Sequence, residues 1–307
     1  MLFGVLAINK PTGPTSRFVV NRVLRAAGKP KLKAGHTGTL DPMASGVLLV
    51  AVGRATRLVE DSHQCSKSYS GTFSLGQRSD TLDAEGAIEA IDNCPRPTVD
   101  QLRAAASQFC GQIKQVPPKY SAIRIDGRRA YDLARDGKDF EVPSREVFIS
   151  HIQVPRVEYP EFELDVECGT GTYIRTLGND IARACGSEAI MTSLVRTQVG
   201  GITLDECCQL DELTGREALA QRLLPPLRMI PHLPKLVATE EQIDQVIHGR
   251  PLSFECEHDR VAMVDAEDNL VATVDCTGHH PRSLNVFRST NDTVQPSNTS
   301  TPHSAES

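Results

Sequence analysis

Apolar and polar positions mark out the elements of this chain before any chemistry is considered. Residues 2–9 form a nearly unbroken apolar run closed by Pro11, Gly13 and Pro14, which predicts a buried first strand and a turn. Phe18, Val19, Val23, Leu24 and Ala27 fall at helical spacing behind Ser16, a candidate N-cap for a helix over 17–27. Residues 29–45 are rich in Gly, Pro, Lys, Thr and Ser and predict a loop. Residues 47–52 then predict a buried strand, 53–61 a short helix, and 69–75 a strand of alternating character.

Further along, Thr98-x-x-Gln101 and Thr239-x-x-Gln242 have the pattern of capping boxes, the first ahead of a helix to about Cys110 and the second to Gly249. Residues 146–168 alternate as two strands around Tyr159-Pro160. Residues 172–185 predict a helix with Ile174, Leu177, Ile181 and Cys185 on one face. Residues 261–264, 270–274 and 284–287 predict short strands in a small β-rich unit over 233–289, following a larger unit over 1–232. The Ser/Thr/Asn/Pro-rich end, 290–307, lacks apolar periodicity and predicts disorder.

Composition narrows the class. The chain has 307 residues, 39% hydrophobic and 23% charged, as expected of a globular protein with one large and one small domain. No stretch reaches the ~18 continuous apolar residues of a membrane span, and the apolar start lacks a basic leader and a small-residue cleavage site. The nine cysteines are odd in number and contain no Cys-x-x-Cys, which argues against a disulfide framework or structural zinc.

Charge is distributed unevenly. Residues 1–57 carry nine basic side chains against Asp41 alone, a net of +8 in a chain of net −6. A lone carboxylate on a basic, glycine-punctuated loop suggests a reactive group brought to a polyanion, although an Asp before a Pro is more often a turn residue. Residues 119–129 are also basic; Pro117 and Pro118 precede them, Tyr120 and Tyr131 are interleaved with the arginines, and the stretch predicts a projecting loop within about 114–146 that could contact phosphates. Gly169-Thr170-Gly171-Thr172 lacks the third glycine of a dinucleotide loop, and no phosphate-loop motif is present. Asp80 and Asp83 have no His or Cys companion and read as loop carboxylates rather than metal ligands.

Four segments share a likeness. Gly35-His36-x-Gly38-x-Leu40-Asp41-Pro42, with Gly46-Val47-Leu48 and Gly53-x-Ala55-Thr56-Arg57, resembles the catalytic motif of the tRNA pseudouridine synthase B (TruB) family. Lys67-Ser68-Tyr69, running on to Leu75-Gly76-x-x-Ser79-Asp80-Thr81-x-Asp83-x-x-Gly86, resembles its second motif, Gly169 to Thr176 its third, and Thr192 to Gly200 the stretch that follows. The resemblance covers about residues 3–230.

That resemblance implies an α/β (α+β) pseudouridine synthase fold, a mixed and largely antiparallel sheet split by an RNA cleft. It implies that Asp41 is the catalytic carboxylate, as nucleophile or base, and that Arg175 is its ion-pair partner. Tyr69 would pack against the extruded uracil, Tyr173 would lie near the base, Leu194 would touch the target nucleotide, and His36 would insert into the RNA loop. Arg175 follows the apolar Ile174 and so lies off the helix's core stripe, free to point into a cleft. The implied reaction converts uridine 55 in the T-arm of tRNA to pseudouridine. It breaks N1–C1′ and makes C5–C1′ with no atom gained, so neither cofactor nor metal is expected.

A cytoplasmic, stand-alone, monomeric enzyme with tRNA as its partner, no obligatory protein partner and no membrane contact is the corresponding expectation. One rival is a tRNA-folding chaperone or RNA-binding module of the same fold that does not catalyse; a second is pseudouridylation within a guide-RNA particle. The 233–289 unit resembles the small PUA-like RNA-binding module of bacterial members, but its five basic and ten acidic side chains give −5, against the sign expected for phosphate binding.

Overall fold

The computed structural model describes residues 2–29, 31–121, 123–125, 127–278 and 280–288. The predicted 290–307 tail lies outside them. The first apolar run is strand β1 (Gly4–Lys10), followed by helix α1 (Ser16–Ala27). Thr15, not Ser16, caps α1, its hydroxyl accepting from the Phe18 N–H at 3.1 Å. Val19, Val23 and Ala27 face inward as predicted and Val20 joins them, while Leu24 is half-buried and Phe18 is exposed.

The predicted 29–45 loop contains a short strand, β2 (Ala34–His36), ahead of β3 (Ser45–Val52). Strand β4 (Lys67–Leu75) and helix α2 (Val99–Ser107) follow. The Thr98/Gln101 box forms with both of its hydrogen bonds. Strands β5 (Gly111–Gln115) and β6 (Arg145–Gln153) bracket the basic segment, which is less loop-like than composition suggests: it carries a hairpin, Arg124–Ile125 with Arg128–Arg129, and a helix, Ala130–Arg135. The first unit continues with β7 (Glu161–Cys168), α3 (Ile174–Ala184), β8 (Ala189–Val199) and β9 (Cys208–Gln209).

The main path of the sheet runs β9–β1–β3–β8–β4–β7–β6–β5. Every neighbouring pair is antiparallel except β9–β1 and β3–β8. The β3–β8 ladder is short, joined only at Ser45 with Val195 and Gly46 with Arg196. Here the sheet opens, and the loop before β3 lies at that opening. Gly46 is required at the junction: its φ is +106°, and a Cβ would stand 2.3 Å from the Arg196 carbonyl oxygen.

The core fixes α3. Leu177, Ile181 and Ala182 are buried with Phe73, Phe162 and Leu164, and the two phenyl rings stack at 5.2 Å. Each such apolar side chain contributes about 1.5–3 kcal/mol by burial. A Cβ at Gly178 would stand 2.0 Å from the Phe73 ring, so the helix backbone rests directly on β4. That contact sets the height of Arg175 at the start of the helix.

The chain divides into two compact units, Met1–His232 and Leu233–Ser307. In the second, β10 (Lys235–Val237), α4 (Glu240–Ile247), β11 (Arg260–Val264), β12 (Leu270–Asp275) and β13 (Arg282–Val286) form a four-stranded sheet with a helix. The Thr239/Gln242 box caps α4. Its core is Ile243, Val246, Val261, Met263, Val271 and Val274. All nine cysteines are free thiols.

Candidate active site

Asp41 sits in the turn before β3, and its neighbours pin that turn from several sides. Leu40 and Ala44 are buried. The Ser16 hydroxyl donates to the Leu40 carbonyl at 2.9 Å and accepts from its N–H at 2.8 Å. The Gly13 N–H donates to the Pro42 carbonyl at 2.8 Å.

Lys10 completes the fixation and corrects the reading of the basic stretch. It is fully buried, so it is unavailable to phosphate. Its ammonium donates to the carbonyls of Pro11, Pro14 and Pro42 at 2.9, 2.9 and 3.3 Å. Burial lowers its pKa to about 8, the nearby Asp41 charge opposing that shift. Arg196, also buried, holds the other side of the turn. Its guanidinium donates to the carbonyls of Val47, Thr39 and Gly38 at 2.7, 3.4 and 3.2 Å.

Arg175 approaches from α3. Its Nη2 lies 3.1 Å from the Asp41 carboxylate and its Nη1 3.1 Å from that of Asp83. The same guanidinium donates to the Thr81 carbonyl at 2.8 Å and the Tyr120 carbonyl at 3.2 Å. Arg175 and Asp83 are buried, whereas the Asp41 side chain keeps 35% of its exposure. Asp83 is itself fixed, accepting from the Thr81 hydroxyl at 2.6 Å and the Glu85 N–H at 3.1 Å. A fork with two anchored sides orients the third partner, which a flexible ammonium could not do. From sequence Asp83 reads only as a loop carboxylate; its signal is the Ser79-Asp80-Thr81-x-Asp83 segment, whose spacing gives no hint of burial.

A cavity of about 310 Å³ opens beside Asp41. Tyr69, Tyr173, Arg175, Leu194 and Arg196 line it with the Asp41 turn. Burial pushes the Tyr69 phenol above its ordinary range while Arg196 pulls the other way, so the hydroxyl stays protonated at neutral pH. His36 stands outside this lining, on β2 opposite Val50 and next to the Thr37 wall. Burial, then the charges of Arg196 and Arg17, hold its pKa below the ordinary histidine value, so the ring is neutral at pH 7. A larger cavity, about 760 Å³ and lined by side chains of both charges, does not include Asp41.

The arrangement is one ionisable carboxylate at the mouth of a nucleobase-sized cavity, with aromatic and aliphatic walls and an arginine brace, at the opening of a mixed sheet. Fold and site together define a pseudouridine synthase. The model of the TruB family pseudouridylate synthase N-terminal domain matches residues 23–174. A tRNA pseudouridine synthase B from Rhodopirellula baltica is 40% identical over 262 residues, covering 81% of this chain and 75% of the relative. One from Mycobacteroides abscessus is 36% identical over 293 residues, covering 94% and 97%. Among solved structures, a chain of a Cbf5–Nop10–Gar1 complex aligns with a TM-score of 0.72 at 26% identity, covering 93% of this chain and 84% of that one. The chain belongs to the TruB family of pseudouridylate synthases.

Proposed function

We propose that this chain converts uridine 55 in the T-arm of tRNA to pseudouridine, acting on an extruded base and without an obligatory protein partner. The relatives' names support tRNA as substrate. The observation that carries the assignment of chemistry is Asp41, held at the cavity mouth 3.1 Å from Arg175. A guanidinium at that distance, itself anchored on Asp83, fixes the direction in which the carboxylate points.

The ionised carboxylate serves either of two routes: attack at C1′ to form a covalent intermediate, or removal of the C2′ proton by way of a glycal. In both, the N1–C1′ bond breaks, the freed uracil turns within the cavity, and C5 bonds to C1′; in the first route this displaces the Asp41 oxygen from C1′ and regenerates the carboxylate, and in the second the carboxyl returns its proton to C2′. The C5 hydrogen then leaves as a proton and N1 gains one, so atoms and electrons balance without a cofactor. Tyr69 and Tyr173 supply π-faces in place of the lost base stack, and Leu194 closes the apolar side of the cavity. Neutral His36 fills the gap in the RNA loop. The exposed basic residues Arg17, Arg22, Arg25, Lys29, Lys31 and Lys33 meet phosphate. The acidic second unit would contribute little to phosphate binding.

The test is to incubate the full chain alone with an unmodified tRNA transcript and map pseudouridine by carbodiimide-blocked primer extension. A single block at position 55 supports the proposal. Blocks elsewhere, or none, contradict it.

A further inference from the structure

The basic segment leaves the sheet at Gln115 and returns to it at Arg145. These two residues pair directly with each other in the β5–β6 ladder. Both side chains are committed to the same neighbour, Tyr173.

Gln115 is buried, and its amide grips the Tyr173 peptide on both sides. Its Oε1 accepts from the Tyr173 N–H at 2.8 Å, and its Nε2 donates to the Tyr173 carbonyl at 3.1 Å. The Arg145 guanidinium lies 4.7 Å from the centroid of the Tyr173 ring and donates through Nη2 to the Gly171 carbonyl. Gly171 makes this approach possible: its φ is +87°, and a Cβ there would stand 3.3 Å from Arg145 Cζ. Arg145 Nε is buried with no hydrogen-bond partner among the described residues. Two of the three guanidinium nitrogens are therefore turned into the protein.

We propose that Gln115 and Arg145 are positioning residues: a clamp at the base of the basic segment that sets the Tyr173 ring and the 169–173 turn for catalysis. They act through Tyr173 rather than by touching RNA. The inference rests on the proposed function. A cation over an aromatic face is attracted to the ring and so favours one ring orientation. The turn so held leads directly into α3, whose second residue is Arg175, so the clamp also fixes where the brace on Asp41 begins. A misplacement of about 1 Å in such a constellation costs on the order of 100-fold in rate.

Arg145 also lines the cavity, so phosphate contact is the competing role, and salt dependence separates the two. Each phosphate contact adds roughly 0.7–0.9 to the slope of log affinity against log salt. Arg145→Gln, Arg145→Lys and Gln115→Met would be compared with the full wild-type chain on T-arm RNA tritiated at uridine C5. Single-turnover release at saturating RNA and the salt slope of binding would both be measured.

The clamp predicts release slowed about 10- to 100-fold in all three variants with the slope unchanged. Arg145→Lys would not rescue, because an ammonium lacks the planar face. A slope reduced by roughly 0.7–0.9 in Arg145→Gln but not in Arg145→Lys, with wild-type release at saturation, would make Arg145 a phosphate ligand and overturn the proposal. Wild-type release with an unchanged slope in Arg145→Gln overturns it as well. If Arg145→Gln does not fold, Arg145→Lys and Gln115→Met carry the same comparison. Failure of the wild type to release tritium would instead refute the proposed function, and the salt slope would still decide whether Arg145 contacts phosphate.

Discussion

Asp83 reaches Asp41 through a single guanidinium: the two terminal nitrogens of Arg175 each lie 3.1 Å from one of the carboxylates. Asp83 is buried and locked by Thr81, so it serves as the fixed end and Asp41 as the working end. Removing the guanidinium leaves a buried carboxylate without its counter-charge. Arg175→Leu is therefore expected to lower stability by about 3–5 kcal/mol, read by urea unfolding. Arg175→Lys keeps one charge but cannot span both carboxylates; its tritium release is expected to fall at least about 100-fold while T-arm affinity stays within about threefold. Wild-type release by the lysine variant would show that the fork is unnecessary.

Gly46→Ala tests the junction at which the sheet opens. The added Cβ meets the Arg196 backbone at 2.3 Å in a backbone conformation that disfavours any side chain. The loss should exceed about 3 kcal/mol, above the ordinary range for a surface substitution. A melting temperature equal to wild type would mean that β3 and β8 do not approach as described.

Lys10 gives a pH signature. Its folded-state pKa of about 8 lies below the ordinary lysine value of 10.5. Between those values the unfolded chain binds more protons than the folded one, so stability rises with pH. Wild type should gain on Lys10→Met by about 1–3 kcal/mol between pH 8 and pH 10, measured by chemical denaturation of both proteins. A constant difference across that window would show that Lys10 is not desolvated.

Much of this organisation is legible in the sequence. The two Thr-x-x-Gln boxes cap helices because each needs only residues three apart. The Asp41 turn is legible because glycine, proline and a lone carboxylate concentrate in one short stretch. What escapes is whatever depends on distant partners. Lys10 counts as surface charge until three carbonyls from its own turn and the Asp41 turn surround it. Ser16 looks like a cap, but its hydroxyl belongs to Leu40. Strand β8 gives no clean alternation because two register shifts against β4 interrupt it. Gln115 carries no local mark of its hold on Tyr173.

Tyr69 is expected to act through its ring. Tyr69→Leu should weaken T-arm binding by about 1–3 kcal/mol, the worth of one base–aromatic stack, while Tyr69→Phe should bind within about threefold of wild type. Equal binding by all three proteins, measured by filter retention, would remove Tyr69 from base recognition.

Asp41→Asn bears most directly on the central claim. Wild type and variant would be incubated with T-arm RNA tritiated at uridine C5. Tritium should pass to water with the wild type and not with the variant, while the variant's RNA affinity remains that of the wild type. Release by both proteins, or by neither, would contradict the assignment of Asp41 as the group that does the chemistry.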